Sequence, residues 1–247
     1  MRYVSTAALL LLMSVSLQGQ SFRLDAGPTG SVAEEKPPVP MNREGLERIE
    51  LAEPGSLTKS NVLYVLTEDV SAPGTAFTVA AGVRNTVLDL GGHVVTYNTE
   101  KQPLGPGKPY GECVYGVHVA GRGVENIVIR NGVIVQGAGA NAGSHAICLS
   151  GGRAAEVHHI QSRVHGPSTS NVSVTWGGPD GRVHDNYFEN HSTTLRGGLF
   201  ASNGIVLSQS QPGWEIWNNT IIGGHNSIAV WNNATKEQRS AARIHHN

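Results

Sequence analysis

The chain repeats itself about every 28 residues, and no other feature restricts its possible folds as strongly. Ile129, Val157, Val183, Ile216 and Ile244 occupy equivalent places. Their spacing falls within the roughly 20–50 residues that mark stacked repeat architectures. Around them two kinds of short segment alternate. One kind reads YGVHVAG (115–121), HAICLSG (145–151), SNVSVTWGG (170–178), NGIVLSQ (203–209) and SIAVWNN (227–233). The other reads NIVIRNGVIVQG (126–137), AEVHHIQSRVHG (155–166), GRVHDNYFENHS (181–192), WEIWNNTIIGG (214–224) and ARIHHN (242–247). Earlier copies occupy 62–82 and 85–98.

Within each segment apolar and polar residues alternate over a short run, the signature of a strand with one face buried. One such unit cannot bury its apolar face alone, so units must stack and share a continuous core. Flush stacking places successive coils about 4.7–4.9 Å apart, strand upon strand and parallel. A propeller blade needs roughly 40–45 residues and a leucine-rich repeat needs a Leu frame, so neither fits. The 31 glycines and the 15% content of charged residues suit short strands joined by tight turns. With aromatics at 6%, the core is expected to be aliphatic. Eighteen Lys and Arg against 19 Asp and Glu leave no basic footprint for nucleic acid.

Stacking turns equivalent positions into columns. Gly132, Ile160, Asn186, Asn219 and Asn247 form one, whose last three members read as an asparagine ladder, each amide donating and accepting. Val128, Glu156, Arg182, Glu215 and Arg243 form a second, with alternating sign that fixes register. A third holds Arg130, His158, His184, Trp217 and His245. Beside it run Asn131, His159, Asp185, Asn218 and His246. These two columns offer the chemistry of a sugar-polymer site. Trp217 can stack on a pyranose face, His159 and His245 can line the groove, and Arg130 or a histidine can neutralise a uronate carboxylate or take an acidic C–H proton. The same columns also read as a polar outer face with histidines at turns. His158, His159 and His184 could ligate a metal only if they converge, and neighbouring histidines on a strand are expected on opposite sides. A fourth column, His118, Cys148, Ser173, Val206 and Ala229, is expected to face outward as a flat surface of mostly small side chains. Such a surface could take a polymer or a covering loop.

The coil pattern, the stretch LDLGGHVVTYN (88–98), which is similar to a DLNGH-like opening turn, and the recurring VxxN-type turns at Val183–Asn186, Ile216–Asn219 and Ile244–Asn247 resemble the right-handed parallel β-helices of the pectate-lyase-like superfamily. The resemblance covers about 60–247. It implies an all-β, right-handed parallel β-helix (a solenoid), and a polysaccharide partner. It also implies, as the activity to test, a lyase acting on an acidic glycan. In that reading Arg130, His158, His184 and Asp185 are the catalytic candidates, with Arg or His as base and Asp185 as a candidate Ca²⁺ ligand. The superfamily's lyases cluster several carboxylates, whereas Asp185 stands alone in its column. Hydrolases of the fold need paired carboxylates, which are missing here. A non-catalytic carbohydrate-binding or surface module is the alternative.

Residues 1–20 read as an export signal, with Arg2 before the run AALLLLMSV and small residues after it. The run is shorter than the roughly 20 residues a membrane span takes, although an N-terminal anchor is the other reading. The expected location is secreted, periplasmic or cell-surface, without stable membrane insertion and as a monomer. Residues 21–58 read as a linker or irregular cap, with a short helix about Asn42–Leu51, and 59–247 as the β-helix. RIHHN at the end matches the first half of a unit, so the solenoid is expected to be incomplete at its C-terminus. Cys113 and Cys148 are the two cysteines. They could be bonded, or could be two small apolar residues.

Overall fold

The computed structural model describes residues 45–103, 112–175, 177–193, 202–208, 212–231 and 242–247. All belong to one compact unit, Pro38–Asn247. Among them every regular element is a strand, and every strand pairing is parallel.

Two long sheets carry the coils. The first runs through Glu47–Leu51, Val62–Leu66, Arg84–Asp89, Glu125–Gln136, Glu156–Val164, Arg182–His184, Trp214–Trp217 and Ala242–His245. The second runs through Gly55–Leu57, Phe77–Val79, Val117–Ala120, Ile147–Ser150, Val172–Thr175, Asn203–Ser208 and Asn226–Trp231. Successive coils feed the two sheets alternately, in the manner of a parallel β-solenoid. The aliphatic expectation holds at the centre, where Val117, Ile129, Ile147, Val157, Val172, Val183, Ile205 and Ile216 are fully buried. Phe77, Phe188 and Trp214 join them as large aromatic members.

The first sheet bends once per coil. Asn131, His159, Asp185, Asn218 and His246 all sit at φ between +51° and +62°. Asn, Asp and His tolerate this left-handed region better than other side chains. The bend carries each coil into a second limb, formed by the end of Glu125–Gln136, the end of Glu156–Val164, Tyr187–Asn190 and Thr220–Gly223. The Asn ladder sits just past the bend. Ile160 N–H donates to Asn186 Oδ1 at 2.9 Å, Asn186 Nδ2 to Asn219 Oδ1 at 2.8 Å, and Asn219 Nδ2 to Asn247 Oδ1 at 2.9 Å.

The helix expected about Asn42–Leu51 does not form over its described part. Glu47–Leu51 is a strand paired with Val62–Leu66. Ile49 and Leu51 recur every second residue, which suits a strand edge. The first coil therefore begins inside the stretch expected to be a linker. The export signal and residues 21–44 lie outside the described residues. No helix among the described residues is long and apolar enough to cross a membrane.

Candidate functional site

All four columns emerge in the register read from the sequence. Arg130, His158, His184, Trp217 and His245 are successive Cα partners, and Asp89 extends the series beside Arg130. From His158 onward the strip is a stack of nearly parallel rings. Centroids are 5.2 Å apart for His158–His184, 4.1 Å for His184–Trp217 and 6.1 Å for Trp217–His245, with planes within 6° of parallel.

Trp217, expected to stack on a pyranose face, lies nearly parallel to the rings of His184 and His245 on either side of it. A correction concerns His158 and His159. The positive φ of His159 turns the chain so that both neighbours point outward, and their Nδ1 atoms lie 2.7 Å apart. His245 and His246 repeat the contact at 2.8 Å. Opposite-side placement requires an unbroken strand, and the bend breaks it.

The charged members of the strip are already engaged. Arg130 donates through Nε to Asp89 Oδ2 at 2.9 Å, and Asn131 donates to Asp89 Oδ1 at 3.0 Å. His184 is held at both nitrogens, with Nε2 3.0 Å from Glu156 Oε1 and Nδ1 2.7 Å from Asp185 Oδ2. Asn218 donates to the other oxygen of Asp185. Two acids outside the sequence-derived site, Asp89 and Glu156, therefore join the strip. Asp185 does not stand alone in space. Glu156 belongs to the charge column, where its strand neighbour across the coil is Arg182, but its carboxylate also reaches the ring of His184. Among the described residues no three His, Cys, Asp or Glu side chains converge as a metal-binding group.

Burial disfavours the His184 cation, but the hydrogen bonds its ring donates to Glu156 and then Asp185 outweigh it and raise its pKa above 6.5. A group raised on folding contributes stability in full below its unfolded pKa and loses it as pH climbs through the folded value. The advantage of wild type over His184→Asn is therefore expected to be greatest below pH 6.5 and to fade above it. Denaturant melts of both proteins across that range check this. A constant difference would mean that the clamp carries no proton linkage.

The second limb holds a feature to which the sequence gives no pointer. Val133, Val135, Gln161, Ser162, Arg163, Tyr187 and Glu189 line a shallow recess of about 110 Å³. Tyr187 is 39% exposed, and its ring is not among the stacked ones. Arg163 Nε donates to Glu189 Oε2 at 2.7 Å on a side chain that is 60% exposed. The hydrogen bond from Arg163, with one from His191, holds the Glu189 carboxyl down at about 2.

The fourth column is not an open platform. Cys148, Ser173, Val206 and Ala229 face away from the core but are nearly inaccessible. Alternation places them correctly on the outer side of the second sheet, yet it cannot tell that this side is covered. No family of known proteins, no curated protein and no solved structure matches this chain.

Proposed function

We propose that this chain is an exported, right-handed parallel β-helix of the pectate-lyase-like kind that binds polysaccharide, with an acidic glycan as its preferred ligand. The reading of export rests on the N-terminal run, and that of handedness on the coil resemblance. The observation that carries binding is the recess around Tyr187. An exposed aromatic ring, the Gln161 amide and the largely exposed Arg163 guanidinium stand together on the outer wall of the solenoid. These are the apolar platform, the hydroxyl partner and the carboxylate partner that a uronate unit needs. The recess is far smaller than the roughly 300–1,000 Å³ pockets that enclose small molecules. An open subsite for one unit of a longer polymer fits it better.

Tyr187→Ala is expected to weaken binding about tenfold, equivalent to roughly 1.4 kcal/mol of lost stacking. Affinity electrophoresis or calorimetry with a uronate polymer and an uncharged polymer of similar size checks this. Unchanged affinity would remove the recess from the site, and no binding to any glycan would remove the function.

Cleavage is the second reading, favoured by the presence of Arg130, His158, His184 and Asp185 on one strip. The engagement of Arg130, His184 and Asp185 with fixed partners favours binding over it. Incubation with a panel of uronate polymers, followed by ultraviolet absorbance of unsaturated product, separates the two.

A further inference from the structure

Two bends of the first sheet carry a pair of histidines, His158–His159 and His245–His246. The second residue of each pair lies in the left-handed region, at φ +53° and +52°. The turn swings both imidazoles to the outer side, with ring planes nearly perpendicular at 83° and 88°. The Nδ1 atoms then lie 2.7 Å apart in the first pair and 2.8 Å apart in the second. The pairs stand three coils from one another, so the same arrangement arises twice from separate stretches of sequence. Glycan binding at the Tyr187 recess gives neither pair a task.

We infer that each pair is a two-nitrogen chelate for a divalent transition metal, with Cu²⁺ the preferred ion. Imidazole is the commonest protein ligand for such ions. With metal–nitrogen bonds of roughly 2.0–2.1 Å, nitrogens at these separations subtend an angle of about 80–90° at the metal. Neighbouring ligands of a square-planar or octahedral ion meet at that angle. Tetrahedral zinc opens it to about 109° and needs the nitrogens roughly 3.3 Å apart. Tetragonal nitrogen coordination suits Cu²⁺ and Ni²⁺, and Cu²⁺ heads the affinity order of the divalent ions.

The bend between the pairs, His184–Asp185, sets a ring nitrogen against a carboxylate oxygen instead, at 2.7 Å. Glu156 holds the other nitrogen of His184, and Asn218 holds the other oxygen of Asp185, so that bend is closed by its neighbours. At the histidine pairs one Nδ1 donates its proton to the other. Coordination needs both Nδ1 lone pairs. The shared proton moves to Nε2 of its own ring, so two neutral imidazoles bind and no net proton is released. His159 and His246 are exposed, and the exchange runs through solvent. Rotation of the rings about their Cβ–Cγ bonds aims both lone pairs at a common point, and the other positions on the ion are left to water.

The test titrates the full chain with Cu²⁺ alone, in a buffer that does not bind metal, by calorimetry and electron paramagnetic resonance. The chain is expected to take two ions, each with an axial spectrum and two nitrogen ligands, and to take Zn²⁺ about tenfold or more weakly. His159→Asn and His246→Asn each lose one ion, and the double variant loses both. Asparagine already occupies the equivalent bend position at Asn131 and Asn218, so these variants keep the turn. His225→Asn, at an exposed histidine outside the bends, keeps both ions. Ions retained in the double variant, an ion lost from His225→Asn, Zn²⁺ held as tightly as Cu²⁺, or no Cu²⁺ bound at all would each overturn the assignment.

Discussion

Asn186→Ala is expected to lower the unfolding free energy by about 3–5 kcal/mol, because it strands several buried groups at roughly 1–3 kcal/mol each. Asn186 is 4% exposed. Its Oδ1 accepts from Ile160 N–H at 2.9 Å, and its Nδ2 donates to Val157 O at 3.1 Å and to Asn219 Oδ1 at 2.8 Å. The amide both donates and accepts there, and the methyl of alanine reaches none of the three partners. Asn219 continues the ladder, donating to Asn247 Oδ1 at 2.9 Å. Denaturant melts of wild type and Asn186→Ala measure the cost. A loss below about 1 kcal/mol would mean that the ladder contributes register without contributing stability.

The ladder also shows how much a repeat can carry. Strand alternation and the coil period are enough to place Val128, Glu156, Arg182, Glu215 and Arg243 in one column, because parallel stacking leaves a single register that keeps every apolar side chain inside. The bends are harder to read. HH at 158–159 and HD at 184–185 look like two strand residues each, yet the second of each pair adopts a positive φ and throws both side chains outward. A local pattern of polar residues gives no sign of that turn until the neighbouring coils are known. The imidazoles on either side of Trp217 follow from the same stacking that builds the columns. The exposure of Tyr187 depends on the second limb, which exists only once the bend does. Glu156 and Asp89 are visible as residues, but the direction of a carboxylate is set by side-chain geometry rather than by spacing.

Trp214→Ala is expected to cost about 3–5 kcal/mol, the range for removing a large aromatic from a tight core. Trp214 is 1% exposed and donates through Nε1 to Gly178 O at 3.0 Å, so the variant also leaves a carbonyl of the preceding coil without that donor. Its six-membered ring lies directly over Gly181, where an added Cβ would overlap three ring atoms. The glycine of one coil is thus the complement of the tryptophan of the next, a pairing that only the stacking of coils creates. Gly181→Ala alone is expected to cost about 1–3 kcal/mol through overpacking. With Trp214 already cut to alanine the clash has no partner, so the double variant should cost little more than Trp214→Ala. The two single costs then fail to add by about the whole effect of Gly181→Ala. Full additivity in a denaturant-melt cycle would show that the two residues do not meet, and the stacking of 212–217 upon 178–184 would have to be redrawn.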